Sequence, residues 1–595
     1  MGKEGLEVQA KNRMQEKIKK LIKGALKDLK ITDVEFIVEH PEDLKNGDYS
    51  TNVAMAGAKK IKTNPKELAE KIVAKLQLAQ SAISEIKEIT VAGAGFINFH
   101  LSRKFFAHSI EGIVNTGENI GQNGTLKDQK IMIEFTDPNP FKPFHIGHLM
   151  TNAIGESIAR ILEHSGAEVT RANYQGDVGL HVAKAIYMLL ENPKEYLVRN
   201  ESTSRQAIFI GKAYAAGSEA YENDPGAKAK IDEINKKIYS KSDEQINETY
   251  DWGFKVTMDA FQDLYEMLGT EFDFYFLESQ MALVGKDIVL ANVGKAAGPD
   301  GKGTIFEESD GAIVFKAEKH DPKLHTRVFI TSQGLPTYET KELGLTEQKF
   351  EKAPDLDLSI IVTANEQMDY MRVVTKAVSL ISPEHASKMK HISHGMMRFT
   401  AGKMSSRKGN VITGESLLND VRDSILEKMT DREFSIVDQE KIAADVAVSA
   451  IKYSILKQST GGDIIYDFES SISSEGDSGP YLQYSHARAK SILEKAAKEN
   501  ILPDPHAFPE EIFEVEKLLY KFPEIVLRSA KEYEPHYIAN YLIEIARAFN
   551  SFYGNNLIVD KKDESSGYKI ALTYAFSFVM KTGLHLLGIK APDKM

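Results

Sequence analysis

The 595-residue sequence predicts a multidomain α/β protein organised around a parallel sheet. Two observations carry that expectation. IMIEF (131–135) is a short apolar run of strand length, and beyond the loop TDPNPFKPF the residues Ile146, Leu149, Ala153, Ile154, Ile158, Ile161 and Leu162 recur at helical spacing up to His164. The same succession of strand then helix returns at VFITS (328–332) before TYETKELGL, and at LSIIVTA (358–364) before EQMDYMRVVTKAVSLI. Such alternation predicts a Rossmann-like domain with ligands at the carboxyl ends of its strands.

That central domain spans 125–415, and a polar, charged and largely helical segment, 184–300, reads as an insertion within it. A small α+β domain, 1–115, precedes it; there PKELAEKIVAKL (65–76) reads as a helix, and VAGAGFINFHL (91–101) as a turn leading into a strand. The polar stretch NTGENIGQNGTLKDQK (115–130) reads as a linker. Beyond 415 the chain reads as helical, with a connecting region at 416–475 and an all-α domain at 476–595.

Composition narrows the classes. Hydrophobic residues at 42% and charged residues at 27% describe an ordinary soluble protein. No apolar run reaches the eighteen or so residues of a membrane span. The first thirty residues lack an apolar signal core and read as a basic amphipathic helix with a solvated polar face. The sequence contains no cysteine, which excludes disulfides and cysteine-ligated zinc; cytoplasmic residence is the expectation. No HExxH or similar metal-ligand spacing is present, so no protein metal site is expected. A net charge of −12 argues against wholesale coating of nucleic acid, yet a local basic groove suffices for RNA.

Two motifs carry chemistry. In FKPFHIGHLM (141–150), a strand, a loop and a helix place His145 and His148 together on the first helical turn. A helix N-terminus offers free N–H groups and a positive dipole end to a phosphate. Gly147 removes a side chain where a flat base can press on backbone. In TAGKMSSRKGNVIT (400–413), a glycine-flanked loop carries Lys403, Arg407 and Lys408, suited to a mobile cationic arm over a triphosphate.

Together, in this order and around an insertion, the two motifs resemble the HIGH and KMSKS signatures of class I aminoacyl-tRNA synthetases. IEFTDPNPFKPFHIGHL, NYQGDVGLH (173–181), GLPTYETKELG (334–344), SGPYLQYSHARAKSIL (478–493) and the terminal LGIKAPDKM resemble the arginyl-tRNA synthetase family, as do GDYSTNVAM and GFINF near the start. The resemblance implies ATP-dependent activation of L-arginine and transfer to the 2′-hydroxyl of the terminal adenosine of tRNA(Arg). Mg²⁺ would accompany ATP, activation would wait for bound tRNA, and the chain would be a monomer.

By that resemblance His145, Gly147, His148, Met404, Ser405 and Ser406 hold ATP, with His145, His148, Lys403 and Lys408 acting on its phosphates. Glu134, Asn139, Tyr338, Glu342 and Gln367 correspond to arginine contacts. Carboxylates suit a planar five-donor guanidinium, and Tyr338 and Glu342, four apart on a helix, share a face. Two departures stand out: Glu342 replaces the family's usual aspartate, and Ser406 replaces the second lysine of KMSK. Lys142, three residues before the HIGH motif, is expected to supply part of the missing phosphate contact. For tRNA, Phe96 and Asn98 match D-loop contacts, the connecting region 416–475 a stem contact, and 476–595 the anticodon-binding domain. Tyr481, Tyr484, Tyr553 and Met595 match positions at or behind the anticodon surface. Another class I specificity and a non-catalytic tRNA-binding paralogue remain as alternatives; intact His145, Gly147, His148 and Lys403 weigh against the second.

Overall fold

A computed structural model describes residues 14–80, 84–191, 198–297, 303–400, 412–429 and 435–595. The central sheet is five-stranded and wholly parallel. Lys130–Glu134 lies at its middle, flanked on one side by Leu358–Ala364 and then Met389–His394, and on the other by Glu168–Gln175 and then Phe274–Leu277. Connections leave the middle strand in both directions, so the crevice between Lys130–Glu134 and Leu358–Ala364 is a topological switch point where ligands bind.

The expected helix runs from Ile146 to His164, and its apolar stripe packs into the main core with Ile133, Phe135, Ile360 and Val362. Two expectations need correction. VFITS does not join the parallel sheet: Arg327–Ile330 pairs antiparallel with Ala312–Phe315, which pairs in turn with Glu307–Ser309. An apolar run reports that a strand is buried, not which neighbour it pairs with. The segment 184–300 is not purely an insertion either. Helices Leu180–Glu191, Thr203–Asn223, Pro225–Ser240 and Glu244–Leu268 form a helical unit, after which Phe274–Leu277 returns as the sheet's edge strand.

The N-terminal domain is a four-stranded antiparallel sheet backed by helices Met14–Asp28, Val53–Ile61 and Pro65–Gln80. The basic helix buries Met14, Ile18, Ile22, Ala25 and Leu26, so its apolar face belongs to this core. The stretch read as a linker is docked: Ile120 is buried, and Thr582 Oγ1 donates to the Glu118 carbonyl at 2.9 Å. Helices Gly414–Lys428 and Ile436–Leu456 connect to the C-terminal bundle, whose principal helices are Gly479–Lys498, His536–Asn555 and Ser566–Leu586. Among the described residues no helix is long and apolar enough to cross a membrane.

Arg103, at the start of the helix Arg103–Thr116 that leaves the N-terminal domain, joins it to the bundle. It donates from Nη1 to Glu516 at 2.6 Å and from Nε to the Pro509 carbonyl at 2.7 Å, and its guanidinium lies 4.9 Å from the ring centres of Phe508 and Tyr568. Glu516 is 1% exposed and accepts a second bond from the Tyr568 hydroxyl. Arg103→Ala strands that carboxylate in the interior, at a cost of about 3–5 kcal/mol. A lowered unfolding midpoint by calorimetry is the expected outcome, with Arg103→Lys less damaging; a midpoint equal to the parent's would disprove the bridge's role.

Candidate active site at the strand ends

The carboxyl ends of the sheet gather two chemically opposite surfaces. The first is the start of helix Ile146–His164. His145 is its N-cap, and its Nδ1 accepts the amide N–H of His148 at 3.3 Å; His148 Nδ1 accepts the amide N–H of His145 at 3.2 Å. The two rings stack, with centroids 3.4 Å apart and 22° between planes. Both Nδ1 atoms are therefore acceptors, and the neutral rings carry their proton on Nε2. Dehydration, with Lys142 adding to it, pulls the His145 imidazole below its ordinary value. His148, 6% exposed, is pulled much further by burial and by His145. Near neutral pH the pair thus presents neutral Nε2–H donors beside the free amides of a helix N-terminus, an arrangement suited to an anion. Gly147 leaves room there: a Cβ would stand a tight 3.0 Å from two atoms of the His145 ring.

The KMSSR loop, with Lys403, Met404, Ser405, Ser406, Arg407 and Lys408, lies outside the described residues. Its downstream flank is placed, however. Thr413 forms a backbone bridge with His145, and the Gly414 amide donates to the Phe144 carbonyl at 2.8 Å. The segment that follows KMSSR is therefore stitched to the start of the HIGH motif.

The second surface is a carboxylate cluster. Glu134 ends the middle strand at 3% exposure, paired with the equally buried Lys349 of helix Tyr338–Lys352. Its charge is thus already met from within the chain, which differs from a strand-end carboxylate left free for a ligand. Asp137 and Glu342 stand nearby and keep partial exposure. Burial and Glu134 together push the Glu342 carboxyl up to about 7, while Lys349 and a hydrogen bond from Tyr370 pull the other way. Burial and Glu134 likewise raise Asp137 well above the usual range, against the Tyr174 amide that donates to its Oδ1 at 2.7 Å. The Tyr174 hydroxyl is buried with no hydrogen-bond partner among the described residues, facing Glu278, Glu342 and Glu134. A partly exposed cluster of carboxylates with an unpartnered phenol among them suits a planar cation.

The other sequence-derived residues fall around this pocket. Asn139 presses against Gly176, where a Cβ would come within 2.1 Å of its Oδ1 and 3.8 Å of Glu278 Oε2. Tyr338 is 70% exposed at the head of its helix, with Lys341 Nζ 5.1 Å from its ring centre and 3.1 Å from Glu278. Gln367, exposed, ends the short turn after strand Leu358–Ala364 and caps helix Met368–Ile381. Lys142 is half-buried over the Tyr214 ring at 5.4 Å, and its charge is felt by His145, His148 and Glu278.

Sequence reasoning missed Asp137, Glu278, Lys349, Tyr174 and Tyr370. Asp177, buried and bonded to Tyr250 and Ser279, was missed too and is a brace for the loop after strand Glu168–Gln175. Lys349 left one signal, its place seven residues beyond Glu342 on the same helical face.

Away from the sheet, Tyr484 and Tyr553 sandwich Arg488, whose guanidinium lies 4.7 and 5.1 Å from their ring centres. The Arg488 guanidinium also bonds Asn550 Oδ1, and Asn550 Nδ2 donates to the Tyr481 hydroxyl at 2.9 Å. The three predicted tyrosines are therefore brought together, around an arginine and an asparagine that were not predicted. Met595 packs half-buried against the bundle core. In the N-terminal domain Phe96 is 39% exposed, whereas Asn98 is buried and accepts from Ser50 Oγ at 2.7 Å. Asn98 braces the strand on which Phe96 stands; its Oδ1 is not offered to solvent.

Comparisons with known proteins agree with this layout. A family model for the class I (R) tRNA synthetase catalytic domain matches residues 110–468. An arginyl tRNA synthetase N-terminal domain model matches 16–101, and a DALR anticodon-binding domain model matches 482–595. The chain is 30% identical over 600 residues to an arginine–tRNA ligase of Borrelia turicatae, covering 98% of this chain and 99% of that one. It is 28% identical over 584 residues to the arginine–tRNA ligase of Halothermothrix orenii, at 98% and 99% coverage. The solved arginyl-tRNA synthetase of Thermus thermophilus shares its fold at a TM-score of 0.75 and 24% identity, covering 98% of this chain and 100% of that one. With a catalytic-domain match over more than half its length, N-terminal and anticodon-binding domain matches on either side of it, and a full-length relative at 30% identity, the chain belongs to the arginyl-tRNA synthetase family of class I tRNA synthetases.

Proposed function

We propose that the protein is an arginine–tRNA ligase that activates L-arginine with ATP and transfers it to the terminal adenosine of tRNA(Arg). The observation that carries this reading is the pairing of a carboxylate pocket with a histidine-capped helix N-terminus at the ends of one parallel sheet. The pocket takes the side chain of arginine, with Glu342, Asp137 and the Tyr174 hydroxyl as partners for the guanidinium. Tyr338, Asn139 and Gln367 line its outer part and orient the amino and carboxylate end. The carboxylate of arginine then attacks the α-phosphate in line, and pyrophosphate leaves.

Phosphoryl transfer of this kind asks the protein for position and charge stabilisation, not for a covalent intermediate. His145 and His148 donate their Nε2–H groups to the phosphate oxygens on which charge builds. Lys142, and Lys403 and Lys408 from the loop anchored at Thr413, act on the phosphates that depart. ATP enters as its Mg²⁺ complex, with the ion held mainly by phosphate and water. The hydroxyl of the terminal adenosine finally attacks the arginyl-adenylate, releasing AMP. At the other end of the tRNA, the Tyr484–Arg488–Tyr553 stack with Tyr481 and Asn550 forms a platform for splayed anticodon bases, and Phe96 offers a ring to the D-loop.

An aminoacylation assay on total tRNA with arginine, lysine and citrulline tests the specificity. Arginine alone is expected to be charged, since citrulline keeps the shape but not the charge; charging of lysine or citrulline at comparable rates would refute the pocket assignment. His148→Ala is expected to lower kcat about 100-fold while leaving the arginine KM within about threefold, because a donor to transition-state charge is lost. A change confined to KM would show that His148 serves ground-state binding only. Arg488→Ala should raise the tRNA KM roughly tenfold through loss of the stacking platform, with the arginine KM unmoved. An unchanged tRNA KM would place the anticodon elsewhere.

A further inference from the structure

We propose that Lys349 is a positioning residue of the arginine site: clamped to Glu134, it lets three carboxylates share one pocket and leaves Glu342 and Asp137 to receive the guanidinium. The inference rests on the reading of that pocket as the arginine site.

The geometry is layered. Glu134 and Lys349, 3% and 1% exposed, form the floor, while Asp137 and Glu342 keep partial exposure above them. The charged and titratable neighbours come from every element around the cluster. Glu342 is faced by Glu134 from the middle strand, Lys349 from its own helix, Tyr370 from helix Met368–Ile381 and Glu278 from helix Glu278–Ala291. Asp137 is faced by Glu134, Lys349 and Glu342, and held by the Tyr174 amide. The charge of Glu278 is met by Lys341 at 3.1 Å, so it does not fall to the cluster. Glu134, Asp137 and Glu342 therefore share one buried cation, Lys349.

A poorly solvated space cannot hold three unscreened carboxylates; one of them takes up a proton instead. With Lys349 in place, Glu134 is neutralised internally; the two partly exposed carboxyls, still raised by burial, give up their protons as a cation arrives. Lysine serves this task because its ammonium is a compact point charge that fits beneath one carboxylate. The planar fork of the substrate then finds the outer pair unoccupied.

The test is the arginine KM in aminoacylation, measured from pH 6 to 9 at saturating ATP and tRNA. For the parent enzyme KM should fall as pH rises through about 7, where the carboxyl of Glu342 ionises. Lys349→Met should move that inflection up by about one unit and raise KM about fivefold at pH 7, with the gap closing by about pH 9 and kcat within about threefold. Lys349→Arg, which keeps the charge, should recover most of the loss. The double variant Glu134→Gln/Lys349→Met, which removes both charges, should return the inflection towards the parent value. Glu134→Gln alone, leaving Lys349 unpaired beside Glu342, should lower it.

An inflection that ignores Lys349→Met, a Lys349→Arg enzyme as impaired as Lys349→Met, or a double variant worse than either single one would overturn the proposal. If Lys349→Met does not fold, the inflections of Glu134→Gln and of the double variant decide it by the same criteria. A parent enzyme that charges no arginine would instead remove the underlying reading of the pocket. One that charges arginine with an inflection indifferent to these variants removes this inference alone.

Discussion

The first turn of helix Ile146–His164 leaves amide donors without partners, as every helix start does. Here His145 and His148 meet two of them with each other's backbone, Nδ1 to N–H in both directions. This mutual cap fixes more than the helix start. It commits Nδ1 of both rings, so the Nε2–H groups remain for a ligand, and it stacks the two rings on each other, with Gly147 leaving room beside His145. It also dictates how the chain must arrive from the strand. Thr136, Asp137 and Phe141 all adopt positive φ, at 79°, 44° and 68°, in the eleven-residue loop 135–145. Each such residue costs on the order of 1–3 kcal/mol. Burial of Phe135 and Phe141, the Asn152–Thr136 hydrogen bond at 3.1 Å and the Tyr174–Asp137 bond at 2.7 Å hold the loop in that shape.

The far half of the same helix is where the C-terminal bundle docks. Ser157 Oγ donates to the Leu586 carbonyl at 2.8 Å, and Arg160 donates to the His585 carbonyl at 3.1 Å and to the Gly269 carbonyl at 2.6 Å. Glu156 holds both Arg160 and Arg171 from beneath. Lys452, buried, spans the junction by donating to the carbonyls of Leu268 and Gly588 at 2.7 and 3.0 Å; burial lowers its ammonium to about 7. One rigid helix thus carries the histidine Nε2–H donors at its first turn and the bundle contacts on its last turns. The last helix of the bundle cannot shift against the catalytic domain without moving that helix or breaking these bonds.

Much of this was legible in the sequence because it is local. The strand Lys130–Glu134, the helix with its histidine cap and the strand Leu358–Ala364 each announce themselves within a window of twenty residues. What escaped was pairing across distance. Phe274–Leu277 is only four residues long and sits after a polar helical stretch, so nothing nearby marks it as the edge of the central sheet. Arg327–Ile330 has the right composition for that sheet and pairs elsewhere. The pairing of Glu134 was out of reach for the same reason: its position at a strand end is a local fact, while its partner Lys349 lies more than two hundred residues away in what reads as an ordinary charged helix. Arg488 and Asn550 likewise become part of the tyrosine platform only when two bundle helices cross.

The two surfaces at the strand ends make opposite electrostatic demands within one crevice. A guanidinium needs carboxylates, and a triphosphate is repelled by them, with little water between to screen the conflict. Three lysines stand along the boundary and answer different parts of it. Lys349 cancels Glu134 at the pocket floor, and Lys341 cancels Glu278 at its wall. Lys142, held over Tyr214, leans its charge towards both the histidine pair and Glu278. The carboxylates left unmatched are Glu342 and Asp137, the two that open to the pocket. Negative charge is thereby confined to the place where the arginine side chain is proposed to sit, and it is kept away from the helix end proposed to bind phosphate. In a chain with a net charge of −12, this local segregation, and not the overall balance, allows one crevice to hold a cation and a polyanion together.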